Sequence, residues 1–215
     1  MDTTATLPIL SAEEQRVLGS LMEKARTTPE YYPLTLNGLV SACNQKTSRK
    51  PVVNYDDSTI ISTLDSLRKK GLVSTVTGGS SRVTKFKHNF AVVYPVVPAE
   101  VTIICLLLLR GSQTPGELNT NSGRMYEFES LDEVQSLLDN LANAEQPYVR
   151  QLPKRPGQKE ARYVHLLGGD DSIDEDEADF NDTHSSSELA TRLAKVEAEL
   201  AALRAEFDKL MHELS

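Results

Sequence analysis

The feature that most constrains the fold is an order of predicted elements that occurs twice: three amphipathic helices followed by two β-prone segments. In the first copy, Ser11 and Glu14 form a predicted capping box, in which each side chain bonds a free backbone N–H at the start of a helix. Thr35 is expected to cap a second helix, and Asp56 a third that runs to Lys70. The apolar positions recur at three- and four-residue spacing and are predicted to face the core: Val17, Leu18, Leu21, Met22 and Ala25; Leu36, Leu39 and Val40; Ile60, Ile61, Leu64 and Leu67.

A predicted hairpin follows the third helix. Gly71 is a natural end for that helix, because glycine readily adopts the left-handed conformation found just after a helix. Leu72–Thr77 and Arg82–Phe90 are rich in strand-forming residues and flank the turn residues 78–81. The sequence therefore predicts an antiparallel ribbon directly after three helices.

The second copy has its own caps and its own hairpin. Its first helix is predicted over residues 98–109, and Thr114 with Glu117 forms a second predicted capping box. A third predicted box, Ser130–Glu133, opens a helix whose expected inward residues are Leu131, Val134, Leu137, Leu138 and Leu141. Two strand-like segments complete the copy, Tyr148–Leu152 and Ala161–Leu167, around the basic residues 153–160.

Three helices followed by a hairpin form a winged helix, in which the third helix and the hairpin turn (the wing) face the same side. The two copies share this order of elements but little residue-by-residue identity. The predicted fold is therefore mainly α with small β-hairpins, an α+β fold. It consists of two tandem winged-helix domains, residues 1–90 and 91–169, followed by a C-terminal coiled-coil helix.

The tail differs from the body in composition. Residues 170–187 are acidic and rich in serine, and we expect a disordered linker because such a segment buries too little apolar surface to offset its ordering entropy. Residues 188–215 contain two series of apolar residues at seven-residue spacing, which predict a parallel coiled coil and hence a homodimer. The predicted dimerisation residues are Leu189, Leu193, Val196, Leu200, Leu203, Phe207, Leu210 and Leu214. A single amphipathic helix folded back on the body is the alternative.

The net charge of −8 hides a difference between these two parts. Residues 170–215 carry fourteen acidic and four basic side chains, which leaves seventeen acidic and nineteen basic ones for residues 1–169. The body is therefore nearly neutral, and the charge of the whole chain does not exclude a nucleic-acid partner.

Cysteine usage and hydropathy predict a cytoplasmic protein without a membrane partner. Cys43 and Cys105 lie in apolar surroundings and are expected to be buried, reduced thiols. The first ten residues lack the pattern of a signal peptide. The longest apolar run, Ile103–Leu109, is far shorter than the roughly 20 residues of a membrane span.

Several linked segments resemble the bacterial YceH family. They are Pro33–Asn37 with Ala42–Lys46, Leu106–Arg110 with Gln113–Leu118, Leu152–Pro153 with Arg155–Gln158, and the wing residues Gly78–Ser80, Arg82–Val83 and Lys85–Phe86. The resemblance covers residues 9–168 and implies a tandem winged-helix fold. It implies no activity, and we do not extend it to the acidic linker or the heptad segment.

The sequence contains no pattern for catalysis, a metal or a cofactor. The histidines His88, His165, His184 and His212 lack metal-ligand spacing, and His88 and His165 are expected to be partly buried strand residues. The Gly78–Gly79 pair is not a phosphate loop, because no Gly-Lys-Ser/Thr follows it. We therefore expect a non-enzymatic protein with no cofactor and no small-molecule ligand.

The basic and hydroxyl residues around the third helix of the first copy are the candidates for contact with DNA. The predicted nucleic-acid-binding residues are Lys46, Arg49 and Lys50 in the preceding loop, Thr59, Ser62 and Thr63 on the helix, Arg82 and Lys85 in the first wing, and Lys154, Arg155 and Lys159 in the second wing. The third helix of the second copy carries Asp132, Glu133 and Asp139 and is predicted to be a poor DNA reader. Charged wing residues can also simply be solvated.

Two functions remain open at this point. The leading interpretation is a dimeric DNA-binding protein of the transcription-regulator type, which holds duplex DNA through its first domain and both wings. The acidic linker could also occupy the basic wings when no partner is bound. The alternative is an adaptor that uses its winged helices to bridge protein partners without binding DNA, since a fold does not determine a function.

Overall fold

The computed structural model describes residues 7–77, 83–154 and 158–169, in which α-helices alternate with small antiparallel sheets. The first part contains α1 (Ala12–Thr27), a 3-10 turn (Pro29–Tyr31), β1 (Leu34–Thr35), α2 (Leu36–Cys43), α3 (Asp57–Lys69), β2 (Val73–Val76) and β3 (Lys85–His88). The second part contains α4 (Phe90–Val93), α5 (Pro98–Arg110), α6 (Pro115–Ser122), α7 (Leu131–Asn143), β4 (Val149–Gln151) and β5 (Tyr163–His165). The predicted combination of helices with small hairpins is confirmed.

Two of the three predicted capping boxes are complete. At the start of α1, Ser11 Oγ accepts from the Glu14 N–H at 3.3 Å and Glu14 Oε2 accepts from the Ser11 N–H at 2.9 Å. Thr114 and Glu117 exchange the same two bonds at the start of α6, at 3.2 and 2.9 Å. Since these side chains satisfy backbone donors that the helix leaves free, they fix where each helix begins.

The third predicted box is only half formed. Ser130 Oγ accepts from the Glu133 N–H at 3.2 Å, as predicted. The Glu133 carboxylate, however, accepts from the Glu129 N–H at 2.7 Å and not from that of Ser130. The cap therefore reaches one residue further back along the chain.

The strands form two small antiparallel sheets that the sequence predicts only in part. The β2–β3 and β4–β5 pairings are the two predicted hairpins, and both are confirmed. The first sheet has a third strand, because Leu34 of β1 pairs with Phe86 and the strand order is β1-β3-β2. In the second part, Gln113 and Tyr163 exchange backbone hydrogen bonds of 3.1 and 2.8 Å. In both parts, the chain just before the second helix pairs with the last strand.

Helices α1 and α5 form the centre of one continuous hydrophobic core. Residues 101–109 of α5 are all buried, and Cys105 Sγ donates to the Gly19 carbonyl oxygen of α1 at 3.2 Å. All described residues belong to one compact unit, and residues 90 and 91, between the two predicted domains, both lie in α4. Cys43 and Cys105 are buried free thiols, as predicted. Within the described ranges, no helix is long and apolar enough to cross a bilayer.

Candidate nucleic-acid interface

The exposed face of α3 carries part of the predicted contact set. Ser62 is exposed and Thr59 is half-buried, both in the N-terminal half of the helix. Thr63 is only 6% exposed, and its hydroxyl donates to the Thr59 carbonyl oxygen at 2.7 Å. The prediction for Thr63 is wrong, because this residue follows Ile60 by three positions and precedes Leu67 by four, which puts it beside the buried stripe of the helix.

Arg49, predicted to contact phosphate, is a buried structural residue. Its side chain is 0% exposed, and its guanidinium binds both oxygens of Glu23, with Nη1–Oε1 at 3.0 Å and Nη2–Oε2 at 2.7 Å. Its Nε and Nη2 also donate to the Ala42 carbonyl oxygen, at 3.2 and 2.9 Å. The prediction is wrong because the fold brings a carboxylate of α1 against the loop, and a planar guanidinium binds such a carboxylate at two points.

The contacts of Glu23 favour the ionised form of its carboxyl group. Burial alone would raise the pKa of Glu23, but the bonds from Arg49 and the Lys24 ammonium, 3.0 Å from Oε2, hold that pKa below its usual value. A lowered carboxyl pKa stabilises the fold at pH values above the ordinary glutamate pKa. That stabilisation is lost as the pH falls through the lower pKa of the folded state.

The loop between α2 and α3 is held in place while its two lysines stay exposed. Asn44 and Tyr55 exchange two hydrogen bonds of 2.8 Å across the base of the loop. Arg16 of α1 donates to the Pro51 carbonyl oxygen at 2.5 Å. Lys46 and Lys50 are exposed on this loop, so it can present two cations in fixed backbone positions.

A first cleft of about 630 Å³ lies between the start of α2, α3 and the β2–β3 ribbon. Ile61 on α3 is 48% exposed, and Val83 on the ribbon side is 54% exposed. Asp65 and Arg68 form an ion pair of 3.2 Å along α3. The lining residues are Thr35, Leu36, Asn37, Ile61, Leu64, Asp65, Arg68, Thr75, Val83, Thr84 and Phe86.

Lys85 does not line the first cleft. Successive residues of a strand point to opposite faces of the sheet, and Phe86 and its partner Thr75 are the ones that face the cleft. Lys85 and Lys87 therefore lie on the outer face of the ribbon. Arg82, also predicted to bind DNA, lies outside the described residues.

A second, smaller cleft of about 240 Å³ occupies the corresponding place in the second part of the chain, between α6, α7 and the β4–β5 ribbon. It contains two predicted contact residues, Lys154 and Lys159, and the Lys154 ammonium donates to the Lys159 carbonyl oxygen at 3.3 Å. Arg155 lies outside the described residues. The lining residues are Pro115, Leu131, Asp132, Gln135, Gln151, Lys154, Lys159, Glu160, Ala161 and Tyr163.

The acidic character predicted for the third helix of the second part is visible on the surface of α7. Asp132 and Asp139 are exposed. Glu133 lies near Tyr126 and raises the pKa of that phenol. Negative charge along this helix opposes the approach of phosphate groups.

His88 and His165 lie in the last strand of each ribbon. His88 is half-buried and His165 is 4% exposed, and burial lowers the pKa of each imidazole to about 4. Both rings are therefore neutral at pH 7. No group of three or more His, Cys, Asp or Glu side chains within the described ranges is arranged to hold a metal ion.

Two exposed aliphatic residues of the clefts, Ile61 and Leu131, were predicted to face the core. In α3 the buried stripe is Ile60, Leu64 and Leu67, and Ile61 points about 100° away from Ile60 around the helix axis. Leu131 is the first residue of α7 and is 42% exposed at the mouth of the second cleft. In the sequence, the exposure of Ile61 is indicated by its position next to Ile60, and that of Leu131 by its position at the start of a helix.

The predicted linker and dimerisation residues belong to the tail. The heptad positions from Leu189 to Leu214 and the acidic linker of residues 170–187 all lie outside the described residues. The coiled coil, the dimer and the linker therefore stay predictions.

Comparison with known proteins gives matches over most of the chain. Residues 10–158 match the family model described as "Protein of unknown function, DUF480". A UPF0502 protein of Opitutus terrae is 54% identical over 169 residues, which cover 78% of this chain and 73% of that protein. A UPF0502 protein of Shewanella piezotolerans is 47% identical over 209 residues, covering 91% and 94%. The UPF0502 protein YceH of Escherichia fergusonii is 44% identical over 211 residues, covering 95% and 97%.

The longer matches also reach into the tail. A match that covers 95% of this chain must include most of residues 170–215. The expectation that the similarity ends at residue 168 is therefore wrong for these relatives, whose own lengths are covered almost completely.

Proposed function

The chain belongs to the YceH family, which the DUF480 model describes, and on that premise we propose that it is a non-enzymatic, dimeric, tandem winged-helix protein that binds duplex DNA. The first winged helix would comprise α1–α3 with β1–β3, and the second α5–α7 with β4–β5. The observation that carries this proposal is the repeated pairing of the residue two positions before the second helix with the last strand, Leu34 with Phe86 and Gln113 with Tyr163. A helix-turn-helix places its last helix in the major groove of DNA.

The first winged helix supplies the proposed contact surface. Lys46 and Lys50 are exposed on an anchored loop, and Ser62 is exposed on α3. Lysines bind phosphates and release counterions, which provides most of the affinity in non-specific binding. We expect this to happen in the cytoplasm, as part of a transcription-regulatory role.

The test is a salt titration of binding between the full chain and a fluorescent duplex. A variant with Lys46, Lys50, Arg82 and Lys85 changed to Ala should bind more weakly. Each phosphate contact that is lost should reduce the slope of log K against log salt by about 0.9. Arg49 is left unchanged, because its loss would unfold the loop and would not report on DNA.

The matched control is Arg124→Ala, which removes an exposed cation just after α6, away from the first cleft. We expect this variant to keep the parent affinity and slope. Parent-like binding by the four-residue variant would remove this surface from the proposal. Absence of binding by the full chain at low salt would refute DNA binding as a whole.

A second candidate function, a protein-interaction adaptor, is favoured by the surface of α7 and its cleft. The exposed aliphatic Leu131 lies beside Asp132 there, and an acidic, partly apolar surface suits a protein better than a phosphate backbone. At the start of α3, Asp56 and Asp57 also carry the same sign of charge as phosphate. An adaptor would show no duplex binding in the titration above, either as the full chain or as residues 1–169.

A further inference from the structure

Ile61 is a large aliphatic residue on an otherwise polar helix face. It is the fifth residue of α3, and its neighbours on the solvent side are Asp57 and Ser58 one turn before it, Ser62 next to it and Asp65 one turn after it. Nearly half of its surface is exposed although the core of α3 is complete without it, since Ile60, Leu64 and Leu67 are at most 2% exposed. Its exposure therefore needs an explanation other than packing.

The first cleft combines this aliphatic surface with flanking positive charge. Val83 contributes a second exposed aliphatic group from the ribbon side. Among the residues that line the cleft, Asp65 is the acid, and it is paired with Arg68 at 3.2 Å. Arg68 and the exposed Lys69 bring positive charge to the C-terminal end of α3, whereas Lys85 lies on the outer face of the ribbon. The surface therefore suits a polyanion that also presents small apolar groups.

Duplex DNA is such a polyanion. The C5 methyl of thymine is the apolar group that base pairs present in the major groove, and aliphatic side chains recognise it by contact. In a helix-turn-helix, residues in the N-terminal part of the last helix contact the base edges, and Ile61 lies in that part of α3. The serine hydroxyls beside it can hydrogen-bond to bases or phosphates.

We propose that Ile61, with Val83 opposite, recognises the thymine methyl group and so gives this protein a preference for thymine-containing major grooves. The inference rests on the DNA-binding function proposed above and adds a specificity-determining residue to it. The partner of the first cleft is thus the methylated edge of a base pair, and not a protein side chain.

The experiment compares duplexes that differ only at the C5 position. The full chain is titrated with an alternating dA–dT duplex and with the same duplex containing deoxyuridine in place of thymidine. A second pair is an alternating dG–dC duplex with cytosine or with 5-methylcytosine. We expect the methyl-bearing member of each pair to bind about three- to fivefold more tightly, the effect of burying one methyl group.

The protein variants show whether the cleft is responsible. Ile61→Ala should reduce the ratio between the members of each pair to near one. Val92→Ala shortens an aliphatic side chain that is 86% exposed and does not line the cleft, and it should leave the ratio unchanged. Thermal unfolding of both variants checks that they remain folded.

Each outcome has a defined meaning. Binding of all four duplexes with equal affinity by the parent chain would overturn the inference while leaving DNA binding intact, and would point to a protein side chain as the occupant of the cleft. A ratio that persists in the Ile61→Ala, Val83→Ala double variant would also overturn it. Failure of the parent chain to bind any duplex at low salt would refute the proposed function and this inference with it.

Discussion

At the scale of single residues, two adjacent basic side chains of the α2–α3 loop differ in their exposure to solvent. Lys50 is exposed, whereas Arg49 next to it is buried against Glu23 and the Ala42 carbonyl group. The guanidinium offers five donors in a fixed plane, so it can connect α1, the end of α2 and the loop at once. The buried ion pair therefore determines where the exposed lysines of the loop lie.

Removing one partner of this pair should be costly. Glu23→Gln leaves the Arg49 charge buried without a counter-charge, and we expect the free energy of unfolding to fall by about 3 kcal/mol. Urea unfolding at pH 7 measures this loss. The exposed carboxylate of Glu30 gives the control, since Glu30→Gln should change stability by less than about 0.5 kcal/mol. Similar stability of the two variants would show that the Arg49 charge is solvated.

His165 should make stability depend on pH. Its pKa is lowered to about 4 in the fold by burial, whereas the unfolded chain titrates near 6.5. Between these values the unfolded state binds more protons, so stability is full above pH 6.5 and falls as the pH decreases towards 4. From pH 7.5 to 5, the loss due to His165 should be about 2 kcal/mol. His165→Gln should remove that part of the pH dependence, and an unchanged pH profile would contradict the burial of a neutral imidazole.

At the scale of elements, the close contact between α1 and α5 depends on one glycine. A Cβ atom at Gly19 would lie 2.9 Å from Leu109 Cγ and Cδ2, which is closer than atoms in a packed core approach. The helices meet here because the α1 backbone has no side chain at this position. Since α5 is buried on all sides, it cannot move away to make room.

A pair of glycine substitutions tests this contact. Gly19→Ala adds a methyl group to a filled space, at a cost of about 1–3 kcal/mol that the helix propensity of alanine offsets only in part. Gly38→Ala in α2 is the matched control, because its Cβ would meet Thr35 Oγ1 at 3.4 Å, an ordinary contact. We expect Gly38→Ala to stabilise the protein by about 0.5–1 kcal/mol and Gly19→Ala to destabilise it. Changes of the same sign in thermal unfolding would mean that the helices separate easily.

The features that could be predicted from the sequence are those formed by residues close together in the chain. The Ser11 and Thr114 caps join residues three positions apart, and the β2–β3 and β4–β5 ribbons pair residues at most 16 positions apart. All of them are confirmed. Strand β1 has only two residues, Leu34–Thr35, and exists because β3 offers it a partner fifty positions along the chain. Such a strand is too short for an alternating pattern to show.

The wrong predictions at the candidate site also arise from contacts between residues far apart in the sequence. The burial of Arg49 depends on Glu23, which is 26 residues away, and the exposure of Ile61 depends on which side of α3 the other helices cover. Neither partner is visible in the local sequence. The polar side chains that line the first cleft come from four separate segments of the chain, so only the folded protein shows that they lie together.

At the scale of the whole molecule, the two parts of the body are connected rather than independent. The Lys50 N–H donates to the Leu109 carbonyl oxygen at 2.8 Å, and the Leu10 N–H donates to the Leu167 carbonyl oxygen at 2.6 Å. The loop that carries the first set of lysines is thus bonded to the end of α5. Two clefts with different lining residues are therefore held in one compact unit, which would let one part bind DNA while the other contacts a protein.

The heptad pattern of the tail predicts that two copies of the chain form a dimer. One acidic substitution in the apolar seam should dissociate that dimer into monomers. Leu200→Glu puts a carboxylate into the apolar seam of a coiled coil, where it would be buried without a partner, whereas Ala201→Glu makes a similar change at the adjacent, outward position. By light scattering, the parent chain and Ala201→Glu should have about twice the chain mass of 23.7 kDa, and Leu200→Glu should have that mass once. On a duplex long enough for both protomers, the monomeric variant should bind at least about a hundredfold more weakly, because the second contact is no longer intramolecular. A monomeric parent chain would contradict the seam, and a dimeric Leu200→Glu variant would locate the dimer contact elsewhere in the protein.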